Sequence, residues 1–294
     1  MTIKKNSAEK VYYTVIYGVI TLFSILCLTP FWLMVTGSLT KESSILKNGY
    51  QFFPDQWSLA AYNMIFHSQR ILKSYLVTVE VTVLGTVISM LLTCMLAYAL
   101  SVRGLKYTKY ISMFVFFTML FSGGMVPWYI LITRYLHLQN TILALMLPYA
   151  VSPFWMFLMR NYFRGIPDSI MESARIDGAN DVFILFRIML PLSLPSIATI
   201  GLFYGLMYWN DWYLSLMFIE KEGLFPLQFL LRSLVSNLMN VAASLNPKMS
   251  VMQEIPAYSV RMSTAIITIG PIILLYPFVQ RYFVKGLTVG SIKG

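Results

Sequence analysis

The sequence predicts an all-α polytopic membrane protein with six transmembrane helices. Of its 294 residues, 57% are hydrophobic and only 12% are charged, about half the charged fraction of a soluble domain. The apolar residues form six segments, each with at least the roughly 17 residues that a tilted helix needs to cross the hydrocarbon layer. Helices are predicted because they satisfy their backbone polar groups within lipid. The predicted spans are 11–36, 74–101, 110–133, 141–159, 188–219 and 262–280.

Basic residues are concentrated in the short loops on one side of these spans. Thirteen of the 22 Lys and Arg residues lie before span one, between spans two and three, in the loop 160–187, or after span six. Because such residues are retained in the cytoplasm, we predict that both termini and the loop 160–187 are cytoplasmic, with 37–73 and 220–261 outside. The net charge of +10 then indicates contact with anionic lipid, not nucleic acid. Residues 1–294 are predicted to form one transmembrane domain.

The loop 160–187 contains a short polar segment with clear start and stop signals. Ser169 and Glu172 have the spacing of a capping box, in which hydroxyl and carboxylate satisfy the first free N–H groups of a helix. Gly178 is expected to end this helix after about two turns, because glycine adopts the left-handed conformation without penalty. A helix this short is marginal in water. We therefore expect it to dock on a partner, with Ala174 and Gly178 keeping its surface low.

This segment, ESARIDGA at 172–179 followed by IMLP at 188–191, resembles the EAA loop of ABC-importer permeases. Three further stretches resemble carbohydrate-type importer permeases, in particular those for complex oligosaccharides. They are FSGGMVP at 121–127, WNDW at 209–212 and YPFVQRYFVKGLTVGSIKG at 276–294. The resemblance therefore extends over most of the chain.

The resemblance implies a subunit of the bacterial cytoplasmic membrane that imports carbohydrate by alternating access. It implies four partners in the assembly: a second, different permease subunit, two ABC ATPase subunits, and an extracytoplasmic sugar-binding protein. It also implies that the segment couples this chain to an ATPase. The coupling residues are then Glu172, Ala174, Asp177 and Gly178.

Polar side chains within the predicted spans are candidates for a substrate pathway. Tyr204, Tyr208 and Asp211 recur along one helical face of span five, with Asn210 beside them. Aromatic rings beside a carboxylate suit a sugar, because its C–H faces stack and its hydroxyls need acceptors. An acid in a membrane is costly without a functional or paired reason, so we assign Asn210 and Asp211 to the pathway. Glu80, in span two, fits a structural and a pathway role equally.

Three further features allow two interpretations each. A stripe of Thr and Ser runs down span two, and tight helix packing is favoured over a substrate track. Trp212 and Tyr213 are favoured as an aromatic belt at the outer interface. Ser122-Gly123-Gly124 in span three predicts either a hinge or a close approach of helices, and simple packing of small residues is the alternative. The stripe consists of Thr78, Thr82, Thr86, Ser89 and Thr93.

The sequence contains no motif for nucleotide binding, for a metal or for a cofactor. GxxxxGK[ST] is absent, and His67 and His137 have no partner at ligand spacing. Cys27 and Cys94 lie in apolar segments, too few for a disulfide framework. We therefore predict no catalytic residue and no cofactor, with ATP hydrolysis on partner subunits. The alternative from a different class is a secondary transporter that uses Glu80 or Asp211 as its ion site, and a membrane-embedded enzyme is more distant.

Overall fold

A computed structural model describes residues 7–67, 69–244, 257–270 and 273. Throughout these residues the regular elements are helices, and the one strand-like feature is an isolated bridge between Thr40 and Trp57. The predicted all-α fold is therefore confirmed for this part of the chain. The C-terminal stretch 276–294 and most of predicted span six lie outside the described residues.

The described residues form a series of helices. In chain order they are α1 (Ser7–Ser38), α2 (Glu42–Asn48), α3 (Ala60–Phe66), α4 (Gln69–Ser101), α5 (Thr108–Leu120), α6 (Met125–Ile130), α7 (Leu143–Met146), α8 (Pro153–Arg164), α9 (Asp168–Ile176), α10 (Asp181–Phe183), α11 (Leu190–Leu192), α12 (Leu194–Trp209), α13 (Tyr213–Phe218), α14 (Leu227–Ser244) and α15 (257–270). Two π-helical segments, Leu131–Tyr135 and Ile184–Met189, continue α6 and join α10 to α11.

Two of the described helices, α1 and α4, are by themselves long and apolar enough to cross a membrane. Three bent pairs meet the same criterion: Thr108–Leu120 with Met125–Tyr135 at 113°, Leu143–Tyr149 with Pro153–Arg164 at 54°, and Asp181–Leu192 with Leu194–Trp209 at 87°. Predicted spans three, four and five are therefore broken helices, not continuous ones. If each pair is one span, the described residues hold five, and the count of six stays a prediction.

The breaks coincide with residues that interrupt a helix. α5 ends just before Phe121, and α6 begins after Gly124, whose φ of +88° favours glycine. A Cβ on Gly123 would meet nothing within 4 Å, so the absence of a side chain there does not serve a close approach of helices. The helix is interrupted at this point, as the hinge interpretation requires. Pro153 and Pro195 lie in the first turns of α8 and α12, where the missing N–H costs little.

The chain divides into two compact units by its contacts, Met1–Ser68 with Ser233–Gly270 and Gln69–Arg232 with Pro271–Gly294. In the first unit, Glu42 is buried, and its carboxylate accepts the N–H groups of Tyr258 (2.8 Å) and Ser259 (3.0 Å). Both N–H groups lie in the first turn of α15, where a negative charge is favourable. In the second unit, α4 packs against both α8 and α12.

Candidate functional site

The short polar helix predicted in the loop 160–187 is α9, but it begins earlier than expected. Its N-cap position is Pro167 and no side chain caps it, so Ser169 lies inside the helix and the capping-box prediction is wrong. Pro167 has an extended backbone with ψ of 131°, which leaves Asp168 as the first helical residue. A carboxylate is favourable there, and this one pairs with Arg103 at 2.6 Å.

The C-terminal end of α9 lies just before Gly178, as the sequence predicts. Gly178 has a φ of +84°, and its N–H donates to the Arg175 carbonyl at 3.0 Å. The N–H of Ala179 donates to the Ala174 carbonyl at 2.9 Å. These two bonds form a Schellman motif, which satisfies the last carbonyls of the helix and reverses the chain. The prediction that Gly178 ends this helix after about two turns is confirmed.

The two faces of α9 differ in what they contact. Met171 and Ala174 are buried in the core of their own chain, so Ala174 brings α9 close to its own bundle and does not stand on the exposed face. Ile176 is 86% exposed on the other face and is not among the residues predicted from the sequence. Its exposure could have been predicted from the sequence, because Ile176 follows the apolar Met171 by five residues and therefore lies on the other side of the helix. The exposed residues of this segment include Glu172, Ile176, Asp177 and Gly178.

The chain just after α9 is tied to α4. Oδ1 of Asp181 accepts hydrogen bonds from Arg175 at 2.9 Å and from the Tyr98 hydroxyl at 3.0 Å. The side chain of Asn180 accepts the N–H of Phe183 at 2.8 Å and so caps α10. The Arg175–Asp181 pair is largely exposed, so it contributes under about 1 kcal/mol by itself. Together with the bond from Tyr98 to the same carboxylate, the pair connects the end of α9 to α4.

Tyr204 lies inside the helix packing and not on the wall of an opening. Its side chain is fully buried. Its hydroxyl is 2.8 Å from the Thr93 hydroxyl on α4 and accepts the N–H of Ser152 at 2.9 Å. A hydroxyl with these partners joins α12 to α4 and to the start of α8. In this conformation its contacts are those of a packing residue, and a pathway role for Tyr204 stays a prediction.

Tyr208 lies one turn after Tyr204 on the same face of α12 and is also buried. Its hydroxyl is 2.8 Å from that of Ser89 and donates to the Met146 carbonyl at 2.9 Å. Its ring occupies the space beside Gly85, where a Cβ would be only 2.9 Å from the ring carbons. At Ser89 and Thr93 the polar stripe of span two therefore serves helix packing. The Tyr208 hydroxyl bonds to groups of its own chain, Ser89 and Met146.

Asn210 and Asp211 lie where α12 ends. The carboxylate of Asp211 accepts the N–H of Leu214 at 3.1 Å and so caps α13. The Tyr149 hydroxyl also lies near this carboxylate and interacts with it electrostatically. The amide oxygen of Asn210 accepts from Gln228 at 3.2 Å. Both residues were assigned to the pathway because the sequence shows no partner for them. The structure provides such partners, and a pathway role for Asn210 and Asp211 stays a prediction.

Glu80 is exposed on α4, on a surface that is otherwise apolar. Its neighbours Leu76, Val83 and Leu84 are also exposed. Among the described residues Glu80 has neither a hydrogen bond nor an ion pair. It therefore points away from its own bundle, and the choice between a structural and a pathway role depends on what lies against this face.

An aromatic cleft opens beside the break between α5 and α6, with a volume of about 670 Å³. Trp128 and Tyr213 line it, with near-parallel rings (4° apart) whose centroids are 6.3 Å apart. Tyr149 also lines it and lies near the Asp211 carboxylate. The cleft therefore combines partly exposed aromatic rings with a nearby carboxylate, whereas Tyr204 and Tyr208 are buried. Tyr213 lies on the wall of this cleft, although the sequence argument favoured an aromatic belt for it.

Comparison with known proteins gives one consistent family. Residues 4–289 match the family described as "Binding-protein-dependent transport system inner membrane component". The polygalacturonan/rhamnogalacturonan transport system permease protein YtcP of Bacillus subtilis is 39% identical, over 97% of this chain and 99% of that protein. The arabinooligosaccharides transport system permease protein AraQ of the same organism is 30% identical, over 93% of each chain.

A solved structure also matches. The crystal structure of a bacterial ABC transporter involved in the import of the acidic polysaccharide alginate contains a chain with a TM-score of 0.82 and 29% identity. The match covers 96% of this chain and all of that one.

The contacts of Tyr208 lead to a prediction that separates packing from transport. Tyr208→Phe keeps the ring beside Gly85 but leaves Ser89 and the Met146 carbonyl without their partner. We expect it to lower the free energy of unfolding by about 1 kcal/mol, the size of an interhelical hydrogen bond in a membrane, measured by thermal unfolding in detergent. Tyr213→Phe is the matched control and should leave stability unchanged. Normal stability of Tyr208→Phe combined with lost uptake would return Tyr208 to the pathway.

Proposed function

The chain belongs to the family of inner membrane components of binding-protein-dependent transport systems, and from that premise we propose that it is the permease subunit of an ATP-driven carbohydrate importer. The observation that carries this proposal is the family match over nearly the whole chain. Relatives at 39% and 30% identity are named for the transport of polygalacturonan or rhamnogalacturonan and of arabinooligosaccharides. Carbohydrate, in oligosaccharide form, is therefore the substrate class that we assign.

The assembly that we propose contains this chain, a second permease subunit, two ABC ATPase subunits and an extracytoplasmic sugar-binding protein. In it the chain has six spans, with both termini and α9 on the cytoplasmic side. The asymmetry of Lys and Arg supports this orientation. The secondary-transporter alternative has no support among the relatives.

We propose that α9 is the element through which an ATPase moves the spans. Its inner face, with Met171 and Ala174, is fixed to the core of its own chain, and the pairing of Asp168 with Arg103 holds its first turn. Its outer face leaves Glu172 and the highly exposed Ile176 free to dock on another subunit. A displacement of α9 would then reach α4 through the bonds of Asp181, and alternating access follows if the spans rock with it.

For the substrate path we propose the aromatic cleft rather than the interior tyrosines. The rings of Trp128 and Tyr213 offer flat apolar faces, against which the C–H faces of a sugar can stack. Asp211 is next to the cleft through Tyr149, and its carboxylate can accept hydrogen bonds from sugar hydroxyls. Tyr204 and Tyr208 then hold α12 in place, and Glu80 meets a neighbouring subunit or a watery cavity.

The source of energy gives the most direct test of this function. In proteoliposomes that contain the assembled transporter and its binding protein, uptake should stop when ATP is omitted while an ion gradient is maintained. Uptake should continue when ATP is supplied and the gradient is collapsed with an ionophore. The reverse pattern would contradict an ATP-driven importer and favour the secondary transporter.

The coupling role of α9 predicts the effect of Ile176→Asp. The change removes an exposed apolar side chain that contacts a partner, whose burial is worth about 1.5–3 kcal/mol, so binding of the ATPase should weaken roughly tenfold or more. Co-purification of the ATPase and substrate-stimulated ATP hydrolysis measure this loss. Leu46→Asp is the matched control, because Leu46 is 65% exposed on a short helix of the predicted outer loop. If both variants hydrolyse ATP normally, α9 does not couple.

The substrate path predicts a difference between two substitutions of Asp211. Asp211→Asn retains an acceptor that can cap α13, so assembly should be normal. It loses a charge-assisted hydrogen bond of roughly 1.5–3 kcal/mol, so uptake should fall about ten- to hundredfold. Asp211→Ala also loses the cap and should reduce thermal stability as well. Full uptake by the Asn variant would remove Asp211 from the path.

A further inference from the structure

An open groove runs between α5 and α8. One end of it lies at the start of α5, next to the connection between α4 and α5, which is predicted to be cytoplasmic. The groove has a volume of about 810 Å³. The two helices are antiparallel along it, so the start of α5 lies beside the end of α8. This arrangement gives the groove one basic end and one apolar end.

The basic end carries four cations without a neutralising carboxylate. Nε of Arg160 and Nη2 of Arg164 both donate to the carbonyl oxygen of Leu100, at 2.9 and 3.3 Å, so the two guanidinium groups are held side by side. Lys106 and Lys109 line the same end. Across the described residues, none of these four side chains forms an ion pair with Asp or Glu. Two guanidinium groups fixed together repel each other unless an anion lies near them.

Two buried hydroxyl groups in this groove also lack a partner. Oγ1 of Thr108 and Oγ of Ser112 are buried, line the groove, and have no hydrogen-bond partner within the described part of the chain. They are four residues apart on α5 and therefore lie on the same face of that helix. A buried hydroxyl without a partner is unfavourable, because it has lost its hydrogen bonds to water without replacing them. Both groups can donate to the oxygens of an anion held by the neighbouring cations.

The other end of the groove is apolar. Phe116, Phe154 and Phe157 line it, and the rings of Phe116 and Phe157 are in edge-to-face contact with centroids 6.5 Å apart. From Thr108 to Phe116 the helix rises by roughly 12 Å. A ligand that fills the groove therefore needs an anionic, hydrogen-bonding head and an apolar tail in line with it.

We propose that this groove binds one anionic phospholipid, with its phosphate at the basic end and an acyl chain along the phenylalanine end. Basic residues at the cytoplasmic surface meet the leaflet that is rich in anionic lipid, and basic pockets between helices on that side bind such headgroups. An acidic sugar would leave the phenylalanine end empty. A helix of another subunit would have to bring several carboxylates into the groove. The proposal depends on the predicted orientation of the chain and not on which substrate it transports.

The test uses the assembled transporter in detergent, with phosphatidylglycerol and phosphatidylcholine added separately. Native mass spectrometry and thermal unfolding should show binding and stabilisation by phosphatidylglycerol only. Each basic residue near a membrane surface contributes about 1 kcal/mol, so Lys106→Gln with Lys109→Gln should weaken the affinity roughly thirtyfold. Arg187→Gln is the control, an exposed basic residue on the same predicted side but outside the groove. Equal binding of both lipids, or unchanged affinity in the double variant, would overturn the proposal.

A second variant removes the hydroxyl groups without removing charge. Thr108→Val with Ser112→Ala should leave the unfolding temperature without added lipid unchanged or higher, because two unsatisfied polar groups are lost. It should weaken phosphatidylglycerol binding at least about fivefold, the value of one neutral hydrogen bond of roughly 1 kcal/mol. Glycerol phosphate and an oligogalacturonate are the competing probes. If either displaces the lipid at equal concentration, the groove is a site for a free anion or an acidic sugar, and the lipid proposal is wrong.

Discussion

The hydroxyl pairs between α4 and α12 are the constraint on which the second unit depends. Ser89 with Tyr208 and Thr93 with Tyr204 join two apolar helices in an interior where no water can replace a lost hydrogen bond. Gly85 makes this possible, because any side chain there would collide with the Tyr208 ring. Once α12 is fixed in this way, its end determines where Asp211 caps α13 and where the aromatic cleft opens. Its beginning continues through α11 and α10 to the loop that carries α9.

Broken helices give this bundle its functional features. Irregular backbone within a membrane is tolerated only where it is covered by protein or lines a cavity, and the break at Gly123 and Gly124 lines the aromatic cleft. The break before Leu194 separates the apolar α12 from the segment that leads back to α9. The groove between α5 and α8 likewise depends on the short α5 that the first break produces. Interruptions that would weaken a soluble helix here create the two openings for which we propose a sugar and a lipid as ligands.

The sequence predicted the features that depend on local chemistry. The helical class follows from composition and the end of α9 from Gly178, while the paired glycines of span three left a hinge, a close approach and simple packing open. It failed where the outcome depends on tertiary neighbours. The periodicity that put Tyr204 on one face with Asp211 is real, but nothing in the sequence says that this face meets α4 and its hydroxyl groups. The assumed capping box failed because Pro167 and the Arg103–Asp168 pair moved the start of α9, and Arg103 is 65 positions away in the chain.

The central claim is that the exposed face of α9 docks on an ATPase subunit. A photoreactive amino acid at position 176 of the assembled transporter tests it most directly, with the same residue at position 46 as the control on the predicted outer side. The account predicts that position 176 cross-links to an ATPase subunit, with a yield that changes when ATP is added, and that position 46 does not. An absence of ATPase cross-links from position 176, in a complex that still hydrolyses ATP, would contradict it.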